Sequence, residues 1–138
     1  MSDITEALRE RVLAAAVDKQ PLRIRGGGTK DFYGNPPEGE PLETAGHAGI
    51  VAYEPTELVV TVRAGTRLAE LEAALAEQGQ MLAFEPIDLG PMLGERPQSG
   101  TVGAMVVTNL SGSRRIAGSA VRDHVLGHLV EVVIGRGA

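Results

Sequence analysis

The chain has 138 residues, 43% of them hydrophobic and 22% charged, which suits one globular domain with a packed core, and its net charge of −5 excludes a sequence-independent grip on nucleic acid. Aromatic residues make up only 3%, too few for a base-stacking platform, and the absence of cysteine excludes a disulfide, a thiolate zinc site or an iron–sulfur cluster within this sequence. No apolar run approaches the ~18 residues of a membrane span and the polar N-terminus is no secretory signal, so a cytoplasmic setting is the default.

Residues 4–17 place Ile4, Leu8, Val12 and Ala15/Ala16 at helical spacing between charges, predicting an amphipathic helix that Pro21 ends. Residues 22–24 form a short strand running into Arg25-Gly26-Gly27-Gly28-Thr29-Lys30. Residues 31–49, rich in Pro and Gly, read as irregular surface structure. Residues 58–64 are the clearest strand, β-branched and bounded by Pro55 and Gly65. Thr66 is placed to cap a helix over 66–78 with Leu68, Leu71 and Leu75 on one face, and Gly79 to close it. A strand over 80–84 follows, stopped by Glu85-Pro86, so this succession predicts a crossover unit with parallel strands. Residues 87–100 read as loop, and 125–134 as one final strand ending on Gly135-Arg136-Gly137. A strand stopping there calls for a return strand, so the sequence is expected to be part of something longer.

Two glycine-rich blocks carry the candidate chemistry. Three glycines between two cations build little core, but they bring bare backbone amides up to an anion, with positive φ expected at Gly27. Residues 25–30 are therefore read as a phosphate or pyrophosphate cradle, although they match neither the Walker nor the Gly-x-Gly-x-x-Gly pattern. In the second block, Gly100 to Ser113, Thr101 can cap a short helix whose first turn, Val102-Gly103-Ala104, is small enough for an anion to reach its amides. Tight packing of that turn against a neighbouring element accounts for the small residues equally well. Arg122 and Asp123 read as a surface ion pair. His124 and His128, four apart in a stretch read as strand, do not make a metal pair, and no metal site is assigned. His47 reads as a solvated histidine.

Taken together, residues 21–30, 49–66, 71–86, 101–104, 111–115 and 120–127 resemble the FAD-binding domain of the vanillyl-alcohol oxidase / p-cresol methylhydroxylase (PCMH-type) flavoproteins. Within that family they are most similar to the smaller FAD-binding subunits of bacterial glycolate oxidases. The resemblance implies an α+β fold: a small parallel α/β subdomain over 1–86, then the beginning of an antiparallel α+β subdomain over 87–138, incomplete here. It implies FAD between the two, its pyrophosphate on Arg25, Gly26, Gly27, Gly28, Thr29 and Lys30 and on Gly100, Thr101, Val102, Gly103 and Ala104. Pro86, Asn109, Gly112, Ser113, Gly118, Ser119 and Val121 would line the cofactor further along.

Thr29 stands where covalent members carry a flavin-linking histidine, so the resemblance implies FAD held non-covalently. Ala104 stands where the family usually has a second glycine. The implied activity is 2-hydroxy acid oxidation, with electrons passing through FAD to an iron–sulfur partner. A homologous FAD-binding subunit and an iron–sulfur subunit would be the partners, holding the chain at the inner face of the membrane. No catalytic residue is assigned, and turnover by these residues alone is not expected. The alternative is a non-catalytic module, either binding another anionic nucleotide or docking a homologous flavoprotein as inherited scaffold.

Overall fold

The computed structural model describes residues 4–28, 31, 34–84, 86, 100–109, 111–113, 115–118, 120–127 and 131–136. Helix α1 (Thr5–Asp18) leads through Pro21 into β1 (Leu22–Arg25), which pairs in parallel with β2 (Glu40–Glu43), Leu22 opposite Glu40 and Ile24 opposite Leu42. Next come β3 (Ile50–Glu54), β4 (Val59–Val62), α2 (Leu68–Glu77) and β5 (Gln80–Leu82). Then follow α3 (Val102–Thr108), α4 (Arg115–Gly118), a 3-10 turn (Val121–His124), β6 (Val125–Gly127) and β7 (Glu131–Arg136). The second sheet runs β3-β4-β7-β5, with β6 also on β7, and every pairing in it is antiparallel. A small parallel sheet beside an antiparallel one is the expected α+β class.

The core forms where α2 and α3 pack against the antiparallel sheet. Successive strand residues face opposite sides, and β4 accordingly buries Val60 and Val62 while Val59 and Thr61 stay half-buried. Leu68, Leu71 and Leu75, one face of α2, meet them, and Leu82, Phe84, Val102, Met105 and Val121 complete the cluster. Gly79, at φ +64, ends α2 as anticipated, its amide donating to the Ala76 carbonyl.

Four sequence expectations are corrected. First, β4 and β5 do point the same way, but they are not neighbours: β7 lies between them, antiparallel to both. Second, the single strand expected over 125–134 is two strands, β6 and β7, paired with each other, and β7 has β4 and β5 as further partners. Third, residues 31–49 are not wholly irregular: β2 lies among them, its Pro41 on a strand whose only buried residue is Leu42. Pro or Glu at three of its four positions hides this strand from a propensity reading.

Fourth, α1 forms where expected but buries nothing; Val12, Leu13 and Val17 are exposed, Val17 to 82%. It is tied down by polar contacts instead, the Arg11 guanidinium donating to the Pro41 carbonyl at 3.1 Å and reaching Glu40 at 3.5 Å. Stability should therefore depend on α2 and hardly on α1. Leu71→Ala, at a fully buried position, is expected to cost about 2–5 kcal/mol in urea unfolding, whereas Val17→Ser should stay within about 0.5 kcal/mol of the parent.

Candidate functional site

The turn between β4 and α2 organises the site. Gly65 has no room for a side chain, because a Cβ there would overlap the Thr44 carbonyl oxygen and crowd those of Ala45 and His47. Its amide donates to the His47 carbonyl at 2.8 Å. The hydroxyl of Thr66, fully buried, accepts from the Gly49 amide at 2.9 Å and donates to the Gly49 carbonyl at 3.2 Å. Thr66 was expected to cap α2. The position at the helix start is Arg67 instead, since the Thr66 hydroxyl is used up in clasping the 44–49 loop.

The same turn receives the start of α3. The Val102 amide donates to the Thr66 carbonyl at 2.9 Å, and the Gly103 amide to the Ala64 carbonyl at 2.8 Å. Thr101 caps α3 as expected, its hydroxyl accepting from the Ala104 amide at 3.4 Å, and it bridges to Arg67. The first turn of α3 therefore does not offer the free amides that its sequence promised. Gly103 is glycine for a packing reason: a Cβ there would stand 2.9 Å from both the Cβ and the carbonyl oxygen of Ala64. Of the two readings left open for this block, tight packing accounts for Gly103.

Gly26, Gly27 and Gly28 are different. Arg25, the last residue of β1, is held by Thr44, whose amide (2.9 Å) and hydroxyl (3.2 Å) both donate to the Arg25 carbonyl. The chain then turns across α3. A Cβ at Gly26 would lie 2.6 Å from the Thr101 hydroxyl oxygen, so only glycine permits this approach. The left-handed residue is Gly28, at φ +76, and not Gly27 as expected. Among the described residues, no protein acceptor engages the amides of Gly26, Gly27 or Gly28.

Both glycine blocks line one cleft of about 310 Å³, walled by Ile24, Ala64, Ala104 and Val107 and reached by Arg25, Asp31, Thr44, Thr101, Gly103 and Thr108. Two of its apolar walls are exposed side chains, Ile24 at 75% and Val107 at 83%, while Ala64 and Ala104 are half-buried. Arg25 lies at its mouth, with Nε 2.9 Å from a carboxylate oxygen of Asp31 and an Nη 3.5 Å from Glu43. The hydrogen bond to Asp31, with a smaller contribution from Glu43, holds the guanidinium above its already high range. Arg25 is therefore charged at every accessible pH.

Other expected site residues fall elsewhere. Val102 and Val121 are fully buried in the core, so neither side chain is available to a ligand. Asn109 ends α3 at φ 49 and its side-chain oxygen accepts from the Arg122 amide, which makes it a junction between α3 and the 3-10 turn. Gly100 gives its carbonyl to the Leu68 amide. Gly118 accepts from His124 Nε2 at 3.0 Å and presses on the Ala83 carbonyl, while His124 also packs on Phe84. Pro86 bridges to Ser111, and neither these two nor Gly112 or Ser113 line the cleft. Thr29, Lys30 and Ser119 lie outside the described residues.

Sequence reasoning missed Asp31, Thr44 and Ala64. Ala64 carried one legible signal, a small residue between a β-branched strand and Gly65; Thr44 and Asp31 sat in a segment read as irregular. Ser111 was passed over as well: its hydroxyl is shielded and has no protein partner among the described residues. Among these residues no group of three acidic or histidine side chains is placed to hold a metal ion.

A family model described as "FAD binding domain" matches residues 3–138. The curated glycolate oxidase subunit GlcE of Escherichia coli (strain K12) is 46% identical over 135 residues, 98% of this chain. The chain spans 36% of that relative's length. Solved structures of alkyldihydroxyacetonephosphate synthase in two crystal forms align at TM-scores of 0.67 and 0.64 with 17% and 19% identity, over 91% and 88% of this chain and 24% and 22% of theirs. That likeness is one of fold.

The packing account of Gly103 has a direct test in protein without ligand. Gly103→Ala should destabilise the chain by about 1–3 kcal/mol, seen as a lowered denaturation midpoint, because the Ala64 backbone cannot yield as a flexible side chain would.

Proposed function

This chain belongs to the FAD binding domain family, and we propose that it is the cofactor-holding part of a glycolate oxidase-type flavoprotein subunit. The observation that supports this most is the run of three amides at Gly26–Gly28 with no protein acceptor among the described residues, in a loop that lines one cleft with the start of α3. A diphosphate carries two negative charges and many acceptor oxygens. A concave row of N–H groups with no side chains in the way suits it. The residues therefore fit the family's cofactor: no side chain stands at Gly26, Gly27 or Gly28, a Cβ at Gly28 would stand 2.6 Å from an Arg25 terminal nitrogen, and apolar walls beside the loop suit a nucleotide.

In this reading the amides of Gly26, Gly27 and Gly28 hold the pyrophosphate, with Thr29 and Lys30 continuing the loop. The start of α3 acts as a wall. Its Thr101 and Ala104 approach the ligand, while the amides of Val102 and Gly103 fix that wall to the β4–α2 turn. The shielded Ser111 hydroxyl supplies a donor beyond the cleft, in the block where Gly112 and Ser113 were expected to serve. The pairing of Pro86 with Ser111 positions it. Holding is non-covalent, with Thr29 where a linking histidine would stand.

Bound FAD would supply two-electron acceptance from a 2-hydroxy acid and delivery to an iron–sulfur partner. This chain's own share is to bind and orient the cofactor. A homologous FAD-binding subunit and an iron–sulfur subunit are the partners proposed. Among the described residues no helix is long and apolar enough to cross a membrane. Attachment at the inner face of a membrane through those partners is part of the same proposal.

Titration of the purified chain with FAD, followed by flavin fluorescence, tests the cradle. Gly28→Val should weaken binding at least about tenfold while far-ultraviolet circular dichroism is unchanged, since a β-branched residue is strained at φ +76 and would meet the Arg25 guanidinium. Unaltered affinity in that variant would remove the cradle. Glycolate should not reduce an acceptor dye with this chain alone.

A further inference from the structure

We propose that Asp31 is a built-in competitor for the cleft's cation: it occupies the Arg25 guanidinium that an arriving diphosphate takes over. This rests on reading Gly26–Gly28 as the diphosphate cradle. Arg25 reaches the cleft from a backbone fixed by two Thr44 hydrogen bonds to its carbonyl. The guanidinium lies against the glycine loop, and a Cβ at Gly28 would stand 2.6 Å from one of its terminal nitrogens. That nitrogen makes no hydrogen bond among the described residues, while Nε is given to Asp31 and the other terminal nitrogen to Glu43. One cation thus faces two carboxylates beside a row of bare amides.

For a dianionic ligand this arrangement is unfavourable as it stands. Asp31 itself lines the cleft and holds the guanidinium Nε at 2.9 Å, so the cation is engaged where the ligand would need it. The remedy is an exchange. A guanidinium binds phosphate oxygens through two parallel N–H donors, which a single hydrogen bond from Nε to Asp31 does not match. The pair is cheap to open, because Arg25 and Asp31 remain 39% and 48% exposed and such pairs contribute little net stability. Asp31 also donates its amide to the Gly28 carbonyl at 3.4 Å, a contact that does not depend on the carboxylate. The loop's backbone can therefore stay in place while the side chain is displaced.

The measurement is calorimetric titration of the chain with ADP, which carries the diphosphate without the flavin, repeated with FAD. Asp31→Asn should bind ADP about two- to fivefold more tightly than the parent, the range an exposed ion pair allows. Arg25→Gln should bind it more weakly, and in the Arg25→Gln background Asp31→Asn should bring no gain. Equal or weaker ADP binding by Asp31→Asn would overturn the exchange, making the carboxylate a clasp that shapes the loop. The same gain with Arg25 already removed would overturn it too, leaving simple repulsion. A parent chain that binds neither ADP nor FAD would instead remove the cradle itself, and this proposal with it.

Discussion

The turn over residues 63–67 is the constraint on which the rest of the molecule depends. It has no side chain at Gly65 and a doubly used hydroxyl at Thr66, and with these it receives the 44–49 loop on one side. On the other it receives the first two amides of α3 and, through Leu68, the Gly100 carbonyl. Segments about twenty residues before the turn and about thirty-five after it are thereby brought to one point by hydrogen bonds. Each bond is worth little net, yet leaving any of these buried groups unpaired would cost more than the bond itself gains. The junction is therefore set by what cannot be left unmade.

The cleft follows from that junction. Thr44, once fixed by the turn, holds the Arg25 carbonyl and so fixes where the glycine run begins. α3, fixed by the same turn, stands where Gly26 must pass within a methyl's reach of Thr101. The two glycine blocks then have opposite roles. At Gly103 the missing side chain lets helix and turn backbones touch, and its amide is consumed in doing so. At Gly26–Gly28 the amides are left over. Similar composition in the two blocks conceals a difference between structural closeness and chemical availability.

This difference explains what the sequence disclosed. The leucine face of α2, the β-branched β4, the Thr101 cap and the Gly79 stop were readable because each is local and has one physical cause. The meeting of residues 25–28 with 101–104 was inferable from two side-chain-poor stretches, but which amides remain open was not, since that depends on Ala64 and Thr66, far from either. Val102 entered the site as part of a small-residue turn and Val121 through the family resemblance, whereas both side chains are fully buried in the core. β2 was hidden by Pro and Glu, and β7's place in the sheet by seventy intervening residues. The helical spacing in α1 was real, yet spacing says only that one face is apolar and not that anything packs on it.

β7 occupies the middle of its sheet although it comes from residues 131–136, with β4 on one side and β5 on the other. During synthesis, β4 and β5 thus emerge with their inner edges bare, and among the described residues the strand that covers them is β7. Contacts that join distant parts of a chain are slow to form, and open strand edges recruit other chains. The sheet closes only after residue 131 has left the ribosome, so the nascent polypeptide passes through an interval in which chaperone protection matters more for this small domain than its size alone implies.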